Sequence, residues 1–286
     1  MQSFFQLWQV NLIGYYIFIV LFYQFYKFAV RHAKNDGAAT ILLQFIGGTS
    51  ILLLMPLFAV KFPSDWKVYV MLAAACIFYG LSDRMNTTAR KHLEVSMFTI
   101  ISQLSSVFLI IIGLVVFRET FVITKIIGAG FILFANALLV YKRGQLKLNK
   151  HTWLAITAAA IFSIAMSIDI GISKQFNLPF YIMFTLVVPA TMIFLTEKIP
   201  FQDIVAEAKS ENRKFYLITG LAWGLFIFFM LRAYQFGKMT TIVPLQAVQV
   251  LLNVGIAYFL LKEKDNQLKK ILAAFLIILG AYLTVR

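Results

Sequence analysis

The chain has 286 residues, of which 61% are hydrophobic and 13% charged, and its mean hydropathy is +0.83. Soluble domains carry about 45–50% apolar and about 25% charged residues, so this composition excludes a water-soluble fold. Disorder is excluded as well, because disordered chains are poor in apolar residues. The single cysteine, Cys76, cannot form an internal disulfide. The composition predicts a protein whose solvent is lipid.

Ten apolar segments are long enough to cross a bilayer, which takes about 20 residues of α-helix. The apolar runs are continuous and do not alternate with period two, which favours helices over a β-barrel. The predicted spans are Trp8–Phe28, Ala38–Val60, Val68–Arg90, Val95–Phe117, Ile123–Tyr141, Trp153–Ile170, Leu178–Leu195, Phe215–Gln235, Thr241–Leu261 and Leu268–Val285. The one long connection, Thr196–Lys214, could form an amphipathic surface helix. We therefore expect an all-α polytopic membrane protein, and we place it in the cell membrane.

The net charge is +14, and most basic residues lie in alternate loops. Seventeen of the 26 Lys and Arg residues fall in odd-numbered loops and six in even-numbered loops. Cytoplasmic loops collect Lys and Arg, so this count predicts odd loops inside and both termini outside. Because the basic charge is spread over many loops, it indicates membrane topology and argues against nucleic-acid binding.

The second half of the chain weakly repeats the first. With a shift of 144 residues and no gap, Tyr79–Tyr141 aligns with Trp223–Val285 and eleven positions are identical. Five helices in each half force the halves into opposite orientations, which gives an inverted repeat with a substrate site near the midplane. We predict one membrane-embedded unit built from a first repeat over residues 1–144 and a second over residues 145–286.

Two tight turns occupy equivalent places in these halves. Their sequences are Phe117-Arg118-Glu119-Thr120 and Leu261-Lys262-Glu263-Lys264, each followed by an apolar helix. With five helices in each half, this arrangement resembles the EamA-type drug/metabolite transporter superfamily. The resemblance implies a transporter in which the first, third and fourth helices of each half line a cavity. It also implies cytoplasmic termini, opposite to the loop charges, so the orientation stays open.

The candidates for ionisable residues at a helix centre are Asp83 and Arg84 in the third span, Asp169 in the sixth and Arg232 in the eighth. Each costs about 2.5–3.5 kcal/mol at a helix centre, so such residues usually face a partner or a cavity. Asp83 and Arg84 are adjacent, hence about 100° apart on a helix, and pair poorly with each other. Our hypothesis is that Asp169 and Arg232 complete pairs across the repeats. The alternative is that these side chains snorkel to water from helix ends.

Uncharged polar residues form stripes on the fourth and ninth spans. Ser102 and Ser105 share a face of the fourth span. Under the same shift they correspond to Gln246 and Gln249 of the ninth, where Asn253 follows. Opposing walls of a cavity would show this pattern, and hydrogen bonds between packed helices are the alternative. The helices that line the cavity in the family resemblance add Gln24, Tyr79, Thr88, Ser167 and Trp223 to this predicted substrate-binding set.

Glu119 and Glu263 mark the turns that follow the fourth and ninth spans. A carboxylate at the start of a helix can accept hydrogen bonds from its free N–H groups. We expect each glutamate to cap the next helix and to pair with Lys125, Lys264 or Lys269. A direct role in binding substrate is the alternative.

No motif indicates catalysis. The three histidines lie in loops without metal-ligand spacing, and no phosphate loop or nucleophile–base set is visible. We therefore predict no enzyme activity, no metal and no cofactor. The expected function is secondary transport or export of a small polar or amphiphilic, amino-acid-like metabolite by alternating access. The expected partners are that solute and the bilayer, and a homodimer stays open. A flippase of a lipid-linked head group and a structural or receptor-like bundle are the alternatives.

Overall fold

The structure is a computed structural model that describes residues 6–30, 33–93, 101–140, 149–252, 256 and 267–285. No strand occurs within these ranges. The first half contains α1 (Trp8–Val30), α2 (Asp36–Ile51), α3 (Trp66–His92), α4 (Leu104–Val115) and α5 (Ile123–Val140). The second half contains α6 (Lys150–Ile172), α7 (Leu178–Thr196), α8 (Phe201–Ala208), α9 (Arg213–Phe236), α10 (Met239–Gln246) and α11 (Gln267–Val285).

Six helical segments in the described ranges are long and apolar enough to cross a membrane. They are Trp8–Val30, Asp36–Leu57, Trp66–Asn86, Lys150–Gln175, Leu178–Thr196 and Arg213–Phe236. These segments match the first three predicted spans and the sixth to eighth. The protein is therefore an all-α, membrane-embedded protein, as the composition predicted.

The chain divides into two compact units. The first comprises Met1–Arg84 and Ile164–Phe236, and the second comprises Met85–Ser163 and Gly237–Arg286. Each unit combines parts of both predicted repeats, and the first segment of the second unit crosses the predicted boundary between them. Two of the three unit boundaries fall within α3 and α6, and the third lies at the end of α9. Below they are called the first and second unit.

In the first unit, α9 packs against α1 and α2, and α2 also packs against α7. Aromatic rings fill the contact between α1 and α9. Phe18 stacks on Phe229 with ring centroids 5.6 Å apart, and Phe22 meets Trp223 at 5.3 Å. Such rings bury large apolar areas, which fixes the pairing of the two helices.

In the second unit, α5 runs along α11, and α10 contacts α4, α5 and α11. A close crossing joins α5 to α11, because a Cβ added at Gly128 would lie 2.5 Å from the carbonyl oxygen of Gly280. The buried side chains nearby are small or aliphatic and include Ala135, Ala273 and Ile277. Helices in membranes use such small residues to bring their backbones together.

The helix α8 lies within the connection where a surface helix was expected. Glu207 of α8 is buried and accepts hydrogen bonds from the backbone N–H of Lys34 at 2.8 Å and from the Tyr216 hydroxyl at 2.9 Å. Asp203 accepts a further bond, at 2.9 Å, from the Asn35 side chain, which itself caps the start of α2. These bonds tie α8 to the chain that enters α2.

Candidate functional site

A cavity of about 350 Å³ lies in the first unit where α2, α6 and α9 come to their ends. Ligand pockets in proteins usually measure about 300–1,000 Å³, so this volume suits a small organic molecule. None of the described residues that line it is acidic. We call it the basic cavity, and its lining comprises Phe58, Ala59, Lys61, Lys174, Phe176, Asn177, Leu178, Arg232, Gln235 and Phe236.

Arg232 is the half-buried charge of this cavity and is held by aromatic rings. Its guanidinium carbon lies 5.5 Å from the Phe58 ring centroid and 4.7 Å from the Phe236 ring centroid. Both distances are within the range of a cation–π interaction. Nη1 also donates to Gln235 Oε1 at 3.3 Å. The rings and the amide restrict the orientation of the guanidinium plane.

Asn177 builds the wall opposite the helix that carries Arg232. Its backbone N–H donates to the Lys61 carbonyl oxygen at 2.7 Å, and its side-chain amide reaches the carbonyl oxygens of Phe58 and Ala59 at 3.3 and 3.2 Å. Its Oδ1 accepts from the Phe180 N–H at 3.2 Å and thereby caps α7. One buried asparagine therefore fixes both the start of α7 and the segment that brings Lys61 to the cavity.

A buried carboxyl group forms a second polar feature of the first unit. Asp169 is 2% exposed and accepts hydrogen bonds from the hydroxyls of Tyr79, at 2.7 Å, and Tyr181, at 2.6 Å. Two O–H donors offset part of the cost of burying a carboxyl group in an apolar interior. Asp169 is thus held by tyrosines, and the pairing with an arginine that the sequence suggested is not formed.

Asp83 and Arg84 point to different partners, as their 100° separation required. Asp83 accepts a hydrogen bond from the side-chain amide of Gln44 at 2.8 Å, while Arg84 forms an ion pair with Glu197. The Arg84 side chain is 48% exposed, so this ion pair lies at the surface of the unit. Arg84 therefore fits the snorkelling alternative, whereas Asp83 faces inward.

The fourth and ninth spans of the second unit are interrupted at equivalent positions. The regular α-helical hydrogen-bonding pattern changes to a tight turn at Gln103, just before α4, and at Ala247, just after α10, while both residues keep right-handed helical dihedral angles. These residues are 144 positions apart, which is the shift of the sequence repeat. Each accepts a hydrogen bond from the N–H three residues later, from Ser106 at 3.0 Å and from Val250 at 3.2 Å. The same tight turn thus occurs at the same place in both halves.

Asn136 of α5 connects the two interruptions. Its Nδ2 donates to the Ala247 carbonyl oxygen at 2.8 Å and lies 3.4 Å from Gln103 Oε1. The side chain is 1% exposed, and its Oδ1 has no hydrogen-bond partner in the described part of the chain. A buried amide with one oxygen unsatisfied is costly, which points to a role beyond packing.

Glu119 is a helix cap, but it caps a different helix from the expected one. Its two carboxylate oxygens accept hydrogen bonds from the backbone N–H groups of Met239, at 2.8 Å, and Thr240, at 2.9 Å. The capped helix is therefore α10, not the neighbouring α5. Lys125 does not supply the expected ion pair in these contacts, and its Nζ donates to Thr241 at 2.9 Å. Glu263 lies outside the described residues.

The other predicted site residues are distributed over both units. Trp223 packs between α1 and α9, Ser167 donates to its own helix at the Ile164 carbonyl oxygen, and Ser105 donates to the Ser102 carbonyl oxygen. Gln246 is buried, and Gln24 and Gln249 are partly buried. Asn253 and the Thr88 side chain lie outside the described part.

Several polar residues of these sites were missed by sequence reasoning. The pair Asn177 and Pro179 was a readable signal, because asparagine before a helix with an early proline is a common start of a helix. Lys61 and Lys174 were counted only as loop charges. Gln44, Tyr181 and Asn136 carry no local signal, since their roles depend on which helices are neighbours.

Comparisons with known proteins identify a fold shared with solved structures. No family model and no curated protein matches the sequence. Twenty-nine solved chains do match. One, described only as the crystal structure of a protein, has a TM-score of 0.78 and 12% identity, covering 96% of this chain and 94% of that chain. Identity this low establishes a common fold and no function.

Proposed function

We propose that the protein is a secondary transporter with ten spans in two inverted repeats. It moves a small polar or amphiphilic metabolite by alternating access, and we assign it to the EamA-type drug/metabolite transporters on the turn motifs around Glu119 and Glu263. The number of spans is supported by four shorter apolar helices that add to the six long ones. These are Leu104–Val115, Ile123–Leu138, Met239–Leu252 and Ile271–Val285. Three of them lie within predicted spans, and Met239–Leu252 begins two residues before its predicted span.

The observation that carries the proposal is the paired interruption at Gln103 and Ala247. A tight turn inside a membrane helix changes its hydrogen-bonding pattern, and each backbone group at the turn must still find a partner inside the bilayer. Transporters with inverted repeats commonly build their sites from helices broken at corresponding places in the two halves. A bundle that served only as a scaffold would have no need for two such breaks.

The polar side chains at the breaks favour the same function. Asn136 donates a second hydrogen bond to the Ala247 carbonyl oxygen, which also accepts from the Val250 N–H, and its buried Oδ1 has no partner in the described part of the chain. In the first unit, Asp169 and Asp83 are acidic groups inside membrane-spanning helices. Ionisable residues there usually mark pathways for solutes or protons.

Uptake into proteoliposomes tests the proposal. The purified protein is reconstituted in neutral lipid, and accumulation of a radiolabelled amino-acid mixture is measured against empty liposomes. A parallel assay follows the flipping of a fluorescent head-group-labelled lipid. Uptake of solute supports a carrier. Lipid flipping without solute uptake would replace the carrier by a lipid-handling protein, and neither activity would leave a structural bundle.

Two substitutions connect the activity to the breaks. Asn136→Ala removes the amide that joins them and is expected to reduce uptake about tenfold or more while the protein stays folded. Thr284→Ala is the matched control, because Thr284 is also buried in the second unit and donates to its own helix at the Gly280 carbonyl oxygen. Equal uptake by the two variants would contradict the role given to Asn136.

Two further substitutions test the charges of the first unit. Arg232→Gln and Asp83→Asn each remove one charge without a large change in volume. We expect both to abolish transport and to leave the folded bundle intact by size-exclusion chromatography. Wild-type rates in both variants would refute the assignment of these residues to the transport pathway.

A further inference from the structure

We infer that the basic cavity binds the anionic end of an amphiphilic organic anion, a carboxylate or a phosphate attached to an apolar body. The relevance of this binding to transport rests on the proposed function. The binding itself depends only on the cavity. The inference narrows the expected amino-acid-like solute to one that the protein recognises mainly by its negative charge.

The charges of the lining set the sign of the ligand. Lys61, Lys174 and Arg232 bring three cations to the cavity, and no acidic side chain is among the described residues that line it. An anion is attracted by all three, whereas an ammonium group is repelled by all three. The guanidinium adds a planar fork of N–H donors, which suits the paired oxygens of a carboxylate or a phosphate.

The apolar part of the lining sets the body of the ligand. Phe58, Phe176, Leu178 and Phe236 share the cavity with the three cations. The rings of Phe58 and Phe236 also hold the guanidinium. A fully hydrated inorganic anion would leave these surfaces unused. A ligand with a ring or a short alkyl chain covers them and gains from the apolar area that it buries.

The cavity is a built feature, because its wall is fixed before any ligand arrives. Asn177 is 1% exposed and bonds the chain at Phe58, Ala59 and Lys61. Lys61 Nζ donates to the Lys174 carbonyl oxygen at 3.2 Å, so the two lysines approach each other on the same wall. A preformed site loses less entropy on binding than one that must be ordered by its ligand.

Four matched probes test the sign of the ligand. Hydrocinnamate, L-phenylalanine, hydrocinnamamide and phenylpropylamine share a phenyl ring on a short chain and differ in charge. Thermal stabilisation of the purified protein in phosphatidylcholine nanodiscs measures binding, because a bound ligand raises the apparent stability. We expect the largest shift with hydrocinnamate, a smaller one with phenylalanine, and none with the amine. Equal shifts with all four probes, or none with hydrocinnamate, would overturn the inference.

Variants locate the binding. Arg232→Gln is expected to weaken hydrocinnamate about tenfold to a hundredfold, the range for a lost charged hydrogen bond. Lys61→Gln and Lys174→Gln are expected to weaken it a few-fold each, since exposed charges are screened. Lys67→Gln is the matched control, because this exposed lysine is close in sequence but does not line the cavity. A loss with Lys67→Gln as large as with Arg232→Gln would overturn the assignment.

The anion could belong to a free metabolite or to a lipid head group, and a second nanodisc distinguishes the sources. If phosphatidylglycerol alone stabilises the wild type but not Arg232→Gln, and hydrocinnamate then adds nothing, a lipid phosphate supplies the anion. If hydrocinnamate acts equally in both discs, the ligand is a soluble anion. Both results support the anion site. Anion binding without any transport would refute the proposed function alone, and transport without anion preference would refute this inference alone.

Discussion

The two units of the molecule differ in how they accommodate polar groups in lipid. The first buries ionisable side chains and satisfies them with partners on other helices, as at Asp169 with its two tyrosines. The second contains small residues, interrupted helices and the uncharged amide of Asn136. Among the described residues, the buried carboxyl group of Asp169 thus belongs to the first unit, and the two matched tight turns at Gln103 and Ala247 belong to the second.

The two units therefore favour different roles: binding of a ligand in the first unit and a change of helix direction in the second. Continuous helices hold charged side chains in fixed positions, which favours selective binding. Broken helices can change direction at a turn, which favours movement. If the units differ in this way, the stability of each interior should depend on different interactions, and substitutions should reveal them.

The largest effect is expected in the second unit, at the crossing of α5 and α11. Gly128→Val places a side chain against the backbone of Gly280, and we expect a loss of about 3 kcal/mol or more in folding free energy. The melting temperature in detergent measures it. Gly130→Val is the control, because a Cβ at Gly130 meets nothing within 4 Å. Equal melting temperatures for the two variants would contradict the close crossing.

In the first unit, the buried carboxyl group should dominate. Asp169→Ala leaves the hydroxyls of Tyr79 and Tyr181 without their acceptor, and we expect a cost of about 2–4 kcal/mol. Tyr181→Phe removes one donor and should cost about half as much. Tyr69→Phe, at an exposed tyrosine of the same unit, should change the melting temperature little. If Tyr181→Phe matches this control, the hydrogen bond does not stabilise the unit.

The cap of α10 is expected to have an intermediate effect. Glu119→Ala frees the N–H groups of Met239 and Thr240 and should cost about 1–2 kcal/mol. Glu119→Gln keeps one acceptor oxygen and should lose about half of that. Chemical denaturation in detergent measures both variants, with the exposed Glu211→Ala as control. If Glu119→Ala left the free energy of unfolding unchanged, solvent would be satisfying the N–H groups of Met239 and Thr240 in place of the carboxylate.

The smallest effect is expected at two matched turns, one in each unit. Arg118 and Lys198 both have positive φ angles, +50° and +51°, after the ends of α4 and α7. Glycine adopts this conformation without steric cost, so Arg118→Gly and Lys198→Gly should each be neutral or stabilise by about 0.5 kcal/mol. A marked loss of melting temperature in either variant would mean that its side chain makes an interaction more important than the turn.

Spans that are defined by their length and hydropathy alone were predictable from the sequence. The predicted spans Leu178–Leu195 and Phe215–Gln235 differ from α7 and α9 by at most two residues at either end. A continuous apolar run fixes where a helix can lie in lipid, whatever its neighbours are. The same local information could not show that α10 would be capped by Glu119, because that bond joins residues 120 positions apart.

The candidate sites were predictable only in part, for the same reason. Arg232 and Asp169 were recognised because charges in spans are conspicuous, but their surroundings were not. The interruption at Ala247 follows Pro244, which was a local signal for a distorted helix. The interruption at Gln103 is not preceded by a nearby proline and has no such local signal. Only the 144-residue shift relates the two.

The bond between Glu119 and α10 has a consequence for biogenesis. The carboxylate is synthesised 120 residues before the N–H group that it accepts from. At about 5–20 residues per second, this is roughly 6–24 s of translation. During that interval the carboxylate lacks the backbone N–H groups of Met239 and Thr240. The second unit therefore completes its folding late, after the carboxy-terminal helices have been synthesised. A ribosome that stalls before Met239 would leave Glu119 without the N–H groups that it binds.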